Sequence, residues 1–155
     1  MRCAARNWGA QLMVHQLAYW SRSRLSGPPE VLAWTIRSIL VAARARNANL
    51  GITGAMIFHA GYFGQVLEGA EAAVEALFGR IARDERHVDV TVAGVCAVAV
   101  RRFPGWPMAL VGGPYGTPLR RQPAEIINLD LPRMTAQDLC DTLFHLVNET
   151  EKAWL

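Results

Sequence analysis

Little in this chain could hold a fold together except a core of its own. Its three cysteines, Cys3, Cys96 and Cys140, are odd in number, widely spaced and outside any metal-ligand pattern. That excludes a disulfide framework and fits a reducing compartment, so the cytoplasm is the expected location. His15, His59, His87 and His145 lack ligand spacing, and no metal site is expected. Apolar runs near residues 36–43 and 94–100 fall short of membrane length. The first eight residues have no apolar stretch followed by a small-residue cleavage site, so residues 1–11 read as a flexible lead-in rather than a secretion signal. A formal charge of only +3, with arginines dispersed rather than blocked, offers nucleic acid little. Internal repeats and low-complexity segments are absent from the sequence as well.

What is present suits one folded domain with short tails: 155 residues, 52% apolar and 19% charged. A first strand is expected over residues 12–20, with His15, Leu17, Tyr19 and Ser21 on one face and Val14, Ala18 and Trp20 on the other. Ser26-Gly-Pro-Pro29 breaks it. Pro29 then leads into a helix with the stripe Leu32, Ile36, Ile39, Leu40 and Ala43, ending near Asn47. Strands over 52–59 and 62–68 flank Ala60-Gly61, a two-residue hairpin turn. Val74, Leu77, Phe78 and Ile81 mark a second helix, ending around Asp84.

A fourth strand over 88–100 should carry Val88, Val90, Val92, Cys96, Val98 and Val100 on one face. A fifth over 106–111 would set Trp106 and Met108 side by side before Gly112-Gly-Pro-Tyr-Gly116 ends it. The order β-α-β-β-α-β-β predicts an α+β, ferredoxin-like mixed sheet with two helices on one face. Thr135 and Asp138 can form a capping box for a C-terminal helix with the stripe Leu139, Leu143, Leu146 and Val147. Its apolar side needs the bare sheet face or a partner subunit.

The feature with most chemical content is Gln65, a polar amide inside a strand that should be buried. It points the same way as Phe63 and Leu67, into an apolar layer. Left unpaired there, such a group costs about 1–3 kcal/mol, so protein, water or ligand must meet it. Taken singly, most other candidates are ordinary: Tyr19 a core aromatic, Asn47 a helix C-terminal residue, Ile39 a core aliphatic, and Asp84, Arg86 and His87 a charge-rich helix end.

In combination they are not. Asn47, Gly51-Ile-Thr-Gly54, Gly61-x-Phe-x-Gln65-x-Leu-Glu-Gly69, Arg83-Asp-x-Arg86-His87 and Arg102-Phe-x-x-Trp106-x-Met108, with Leu17-Ala-Tyr19-x-Ser21 upstream, resemble the BLUF family of blue-light sensors that use FAD. The resemblance runs from about Leu12 to Leu110. It implies a flavin-binding domain over 12–115, followed by a connection and helix over 116–155. It also implies non-covalent FAD bound by Tyr19, Ile39, Arg46, Asn47, Gln65, Asp84, Arg86 and His87. Tyr19 and Gln65 would carry the photochemistry, and Trp106 with Met108 would be the mobile element beside them.

The expected protein is therefore a sensor and not an enzyme. It would act without membrane or direct nucleic-acid contact, through a downstream signalling protein or a rearranged homo-oligomer. A flavin-free interaction module on the same fold is the main alternative. A small hydrolase resembling acylphosphatase would want a glycine-rich phosphate cradle after the first strand, and none is there.

Overall fold

The computed structural model describes residues 13–112 and 129–152. The expected lead-in, Leu12 at the start of the first predicted strand, and the segment from Gly113 through Gly116 to Asn128 lie outside the described residues.

The elements are β1 (Val14–Ser23), α1 (Pro29–Leu50), β2 (Thr53–His59), β3 (Tyr62–Gly69), α2 (Glu71–Ala82), β4 (His87–Val98), β5 (Ala109–Gly112), a 3-10 turn (Leu131–Arg133) and α3 (Ala136–Lys152). The strands form one sheet in the order β4-β1-β3-β2-β5, antiparallel except for the β2–β5 pair. β1-α1-β2 is thus a split βαβ unit with β3 inserted, the ferredoxin-like plan extended by a fifth strand.

Alternation along the central strands makes two cores, one on each sheet face. Leu17, Tyr19, Met56, Phe63 and Leu67 pack with Ile36, Leu40 and Ala43 of α1 and with Val74 and Leu77 of α2. Ala18, Ala55, Ile57 and Val66 pack with Leu139, Cys140, Leu143, Leu146 and Val147 of α3. The C-terminal helix therefore covers the face that α1 and α2 leave bare. Its first turn is closed by the expected capping box: Asp138 N–H donates to Thr135 Oγ1 at 3.1 Å, and Thr135 N–H to Asp138 Oδ2 at 3.2 Å.

Local signals explain most boundaries. Pro29 opens α1, and Ala60 and Gly61, at φ 50° and 81°, make the β2–β3 hairpin. α1 runs one turn beyond Asn47, because the left-handed terminating position falls on Gly51 at φ 65°. Asn47 is instead a helical residue whose carbonyl accepts the Gly51 and Ile52 N–H groups.

Two sequence expectations fail for physical reasons. β4 does not keep one apolar face: its pairing with β1 slips between Ala18 and Tyr19 and again between Trp20 and Arg22. Val92 is therefore opposite Tyr19, whereas Cys96 and Val98 are opposite Gln16 and Val14, on the other face. Strand four ends at Val98, leaving Val100 75% exposed. β5 begins only at Ala109, so Trp106 and Met108 precede it. Gly105 at φ 80° and the Trp106 N–H to Phe103 carbonyl bond (3.2 Å) fold 103–106 into a turn, and period-two alternation does not apply there. Trp106 packs with the α3 core and Met108 with the α1/α2 core. They do not share a face.

Candidate functional site

Tyr19 and Gln65 are direct register partners on β1 and β3, so both side chains enter the α1/α2 core together. Both are buried, at 1% and 4% exposure. The Tyr19 hydroxyl donates to Gln65 Oε1, and Gln65 Nε2 donates to Met108 Sδ at 3.3 Å. The amide is thus held at both ends by partners of opposite character, a strong acceptor role on one side and a weak donor role on the other. Burial pushes the Tyr19 phenol above its ordinary pKa, against the pull of the Arg46 charge, which keeps it a hydrogen-bond donor in the resting state.

A second set comes from the C-terminal half of α1. Asn47 is fully buried, and its Nδ2 donates to the Pro107 carbonyl at 2.8 Å. Arg44 Nε donates to the Met108 carbonyl, also at 2.8 Å. Arg46 Nε reaches Asn47 Oδ1 at 3.5 Å, the outer edge of a hydrogen bond. Ile39 is half-buried against the same core.

Residues 84–87 separate into two functions. Asp84 and Arg86 pair through Arg86 Nη2 to Oδ2 at 2.5 Å and Nε to Oδ1 at 2.9 Å. That guanidinium holds the Asp84 carboxyl down at about 2. His87 opens β4 rather than closing α2: its Nδ1 meets Ser21 Oγ at 2.7 Å, and its ring lies 4.7 Å from Phe63 and 6.3 Å, edge-on, from Tyr19. Burial lowers its pKa, so the neutral ring is favoured.

Sequence reasoning missed Arg80. Burial lowers the Arg46 pKa, and the neighbouring positive charges of Arg80 and Arg86 lower it further, with Asp84 the acidic counterweight. Arg46 on α1 is thus within electrostatic reach of Arg80 in α2 and of Arg86 beyond it.

Glu68 was also missed, although its place in the motif was noted. It lies three residues past Gln65, on the opposite sheet face, and is fully buried. Arg102 N–H donates to both its carboxylate oxygens, at 2.9 and 3.0 Å, and Phe103 N–H (3.5 Å) and Gln16 Nε2 (3.4 Å) complete its shell. Arg102 in turn pairs with Asp141 of α3 at 2.9 Å and lies 4.4 Å above the Phe144 ring. Beside it, a groove of about 430 Å³ opens between residues 101–106 and α3, lined among others by Trp106, Phe144 and Asn148.

The family model described as "BLUF: Sensors of blue-light using FAD" matches residues 14–109. Among curated proteins, the photoactivated adenylate cyclase subunit beta of Euglena longa is 36% identical over 69 residues, 44% of this chain and 8% of that protein. The blue light- and temperature-regulated antirepressor BluF of Escherichia coli is 33% identical over 92 residues, 59% of this chain and 22% of that protein. The chain thus spans under a quarter of either relative. Among solved structures, the dark state of BlrB, a BLUF protein, superposes with TM-score 0.70 at 32% identity, covering 87% of this chain and 98% of that one. BlsA in its photo-activated state gives 0.71 at 25% identity, covering 87% and 95%. Profile, relatives and fold agree, and the chain belongs to the BLUF family of blue-light sensors.

Proposed function

We propose that this chain is a blue-light photosensor without enzymatic activity of its own, which holds FAD non-covalently between α1 and α2 and reports light through the orientation of the Gln65 amide. The observation that carries this reading is the buried chain Tyr19 hydroxyl, Gln65 amide, Met108 thioether. An amide held by one strong and one weak partner can rotate or tautomerise and so rewire its neighbours with little backbone movement.

The donor set fits the cofactor's chemistry. Asn47 supplies an amide suited to the carbonyl and imide edge of a flavin ring, Ile39 an apolar surface for its face, and Arg46, Arg80 and Arg86 a cationic rim suited to phosphate oxygens. Asp84 orients Arg86 within that rim, and His87 stands between Ser21 and Phe63 behind Tyr19. When bound, the flavin supplies light absorption and an excited state that accepts an electron. Tyr19 would be the residue that supplies an electron and its hydroxyl proton, and Gln65, which accepts that O–H, would carry the proton; once both electron and proton return to Tyr19, the amide would be left with its hydrogen bonds changed.

On this reading the flavin-binding domain ends near residue 115 and the output leaves through β5, which follows Met108, and the C-terminal helix α3. A population shift of that kind acts only on a partner that binds the two states with different affinity, either a cytoplasmic signalling protein or a second copy of this chain. The test is binding of the purified protein to FAD, FMN and riboflavin, followed by flavin fluorescence. FAD binding tightest, and binding weakened by Arg46→Ala and Arg80→Ala, is the expected result. A chain that refuses every flavin would instead support the flavin-free interaction module.

A further inference from the structure

We propose that Glu68 is a positioning residue for the Gln65 amide: from the far side of the sheet, its buried carboxylate fixes the segment that presses Met108 against Gln65. This rests on the reading of Gln65 as the photosensory amide.

The path is continuous. Both oxygens of Glu68 take the Arg102 N–H, and one also faces the Phe103 N–H. The Phe103 carbonyl then accepts the Trp106 N–H at 3.2 Å, and the Trp106 carbonyl accepts the Gly54 N–H at 2.9 Å. Arg101 secures the same start, giving Nη1 to the Glu68 carbonyl (3.0 Å) and Thr53 Oγ1 (2.9 Å) and Nη2 to the Gly51 carbonyl (2.8 Å). Downstream, Asn47 and Arg44 hold the Pro107 and Met108 carbonyls, and Met108 Sδ meets Gln65. Residues 101–108 therefore pass from one sheet face to the other, and no regular strand fixes them until Ala109.

The Met108 sulfur is a weak acceptor, so its bond to Gln65 does little to place it. Its position is set by what anchors the segment, and Glu68 is the carboxylate that takes the segment's backbone N–H groups. A fully buried carboxylate is costly unless it accepts several strong bonds, and Glu68 spends its acceptors on this segment. Its pKa is raised by that burial, against the backbone N–H groups of Arg102 and Phe103. Because Arg102 also grips Asp141 and Phe144, the same clasp joins the Gln65 strand to α3.

Glu68→Gln preserves volume but removes the charge and sets an amide NH2 donor against the Arg102 N–H. The test uses the full chain as purified, kept dark, with methyl-13C methionine labelling and Met108 assigned by Met108→Leu. The Arg102 amide should exchange at least about tenfold faster in Glu68→Gln, and the Met108 methyl resonance should move or split. In flavin-loaded protein, recovery in the dark after blue light should change in rate by about fivefold or more. Thr135→Ala, which weakens α3 without touching the clasp, should leave the Met108 resonance in place. If Glu68→Gln does not fold, Arg101→Gln should move Met108 in the same way.

An unmoved Met108 resonance beside a released Arg102 amide would overturn the proposal, as would an equal shift in Thr135→Ala. Failure to bind flavin would refute the photosensor reading by itself, while the Met108 and Arg102 signals would still decide the role of Glu68.

Discussion

Replacing Gln65 by leucine tests the site at its centre. The change removes the acceptor of the Tyr19 hydroxyl and the donor to Met108 while keeping a side chain of similar size. Tyr19 is 1% exposed, so water cannot readily replace the lost partner. An unsatisfied buried hydroxyl costs about 1–3 kcal/mol, and the added apolar burial of leucine returns part of it, leaving a net loss of about 1–2 kcal/mol. At this chain length that lowers the melting temperature by about 2–8 °C. Asn47 and the arginines are untouched, so flavin should stay bound. The absorption spectrum before and after blue light should then be identical, because leucine has no hydrogen bonds to exchange. A normal, reversible light response in a flavin-loaded Gln65→Leu protein would refute the reasoning.

Gly54→Ala should cost about 3 kcal/mol or more and largely prevent folding, because an added Cβ would run into the Val66 carbonyl oxygen between two central strands; soluble yield and thermal melting report it. Thr135→Ala should lose about 1 kcal/mol in urea unfolding through the opened capping box of α3. Asp84 has a folded-state pKa of about 2 against an ordinary 3.8, so its stabilising contribution is complete above 3.8 and is lost as the pH falls towards 2. Asp84→Asn should therefore flatten the fall in melting temperature between about pH 4 and pH 2 relative to the unchanged protein. Cys140 is 3% exposed and burial pushes its thiol up to about 11, so it should resist alkylation near neutral pH until the protein unfolds.

The parts of this fold that were legible in the sequence are those where one local rule acts alone. Period-two alternation placed Phe63, Gln65 and Leu67 on one face of their strand and Leu17 with Tyr19 on one face of theirs, and the structure brings the two faces into one core. Capping and turn residues marked Pro29, Ala60-Gly61 and Thr135 correctly. Legibility failed where two rules met. The valines of β4 suggest an uninterrupted face, but bulges opposite β1 shift the phase, and nothing local to residues 88–98 reveals pairing slips set by a strand seventy residues earlier. Trp106-Pro-Met108 imitates a strand, but Gly105 and the Phe103–Trp106 bond bend it into a turn.

The site divides in the same way. Gln65 stood out as an amide on a buried strand and Tyr19 was singled out through the family resemblance; the structure makes the two register partners. Arg80 and Glu68 were not found, because each acts through a neighbour remote in sequence: Arg80 through Arg46 on another helix, Glu68 through the backbone N–H groups of Arg102 and Phe103. Glu68 could have been suspected as a carboxylate at an inward position of a buried strand, which demands donors.

The central claim is that blue light rewires the hydrogen bonds of one buried amide in a flavin-loaded chain. Its most direct test is the absorption spectrum of the flavin-loaded protein in the dark, after blue light, and after a return to darkness. A small shift to longer wavelength that disappears in the dark is the predicted result. A flavin spectrum that is bound yet unchanged by light would contradict it.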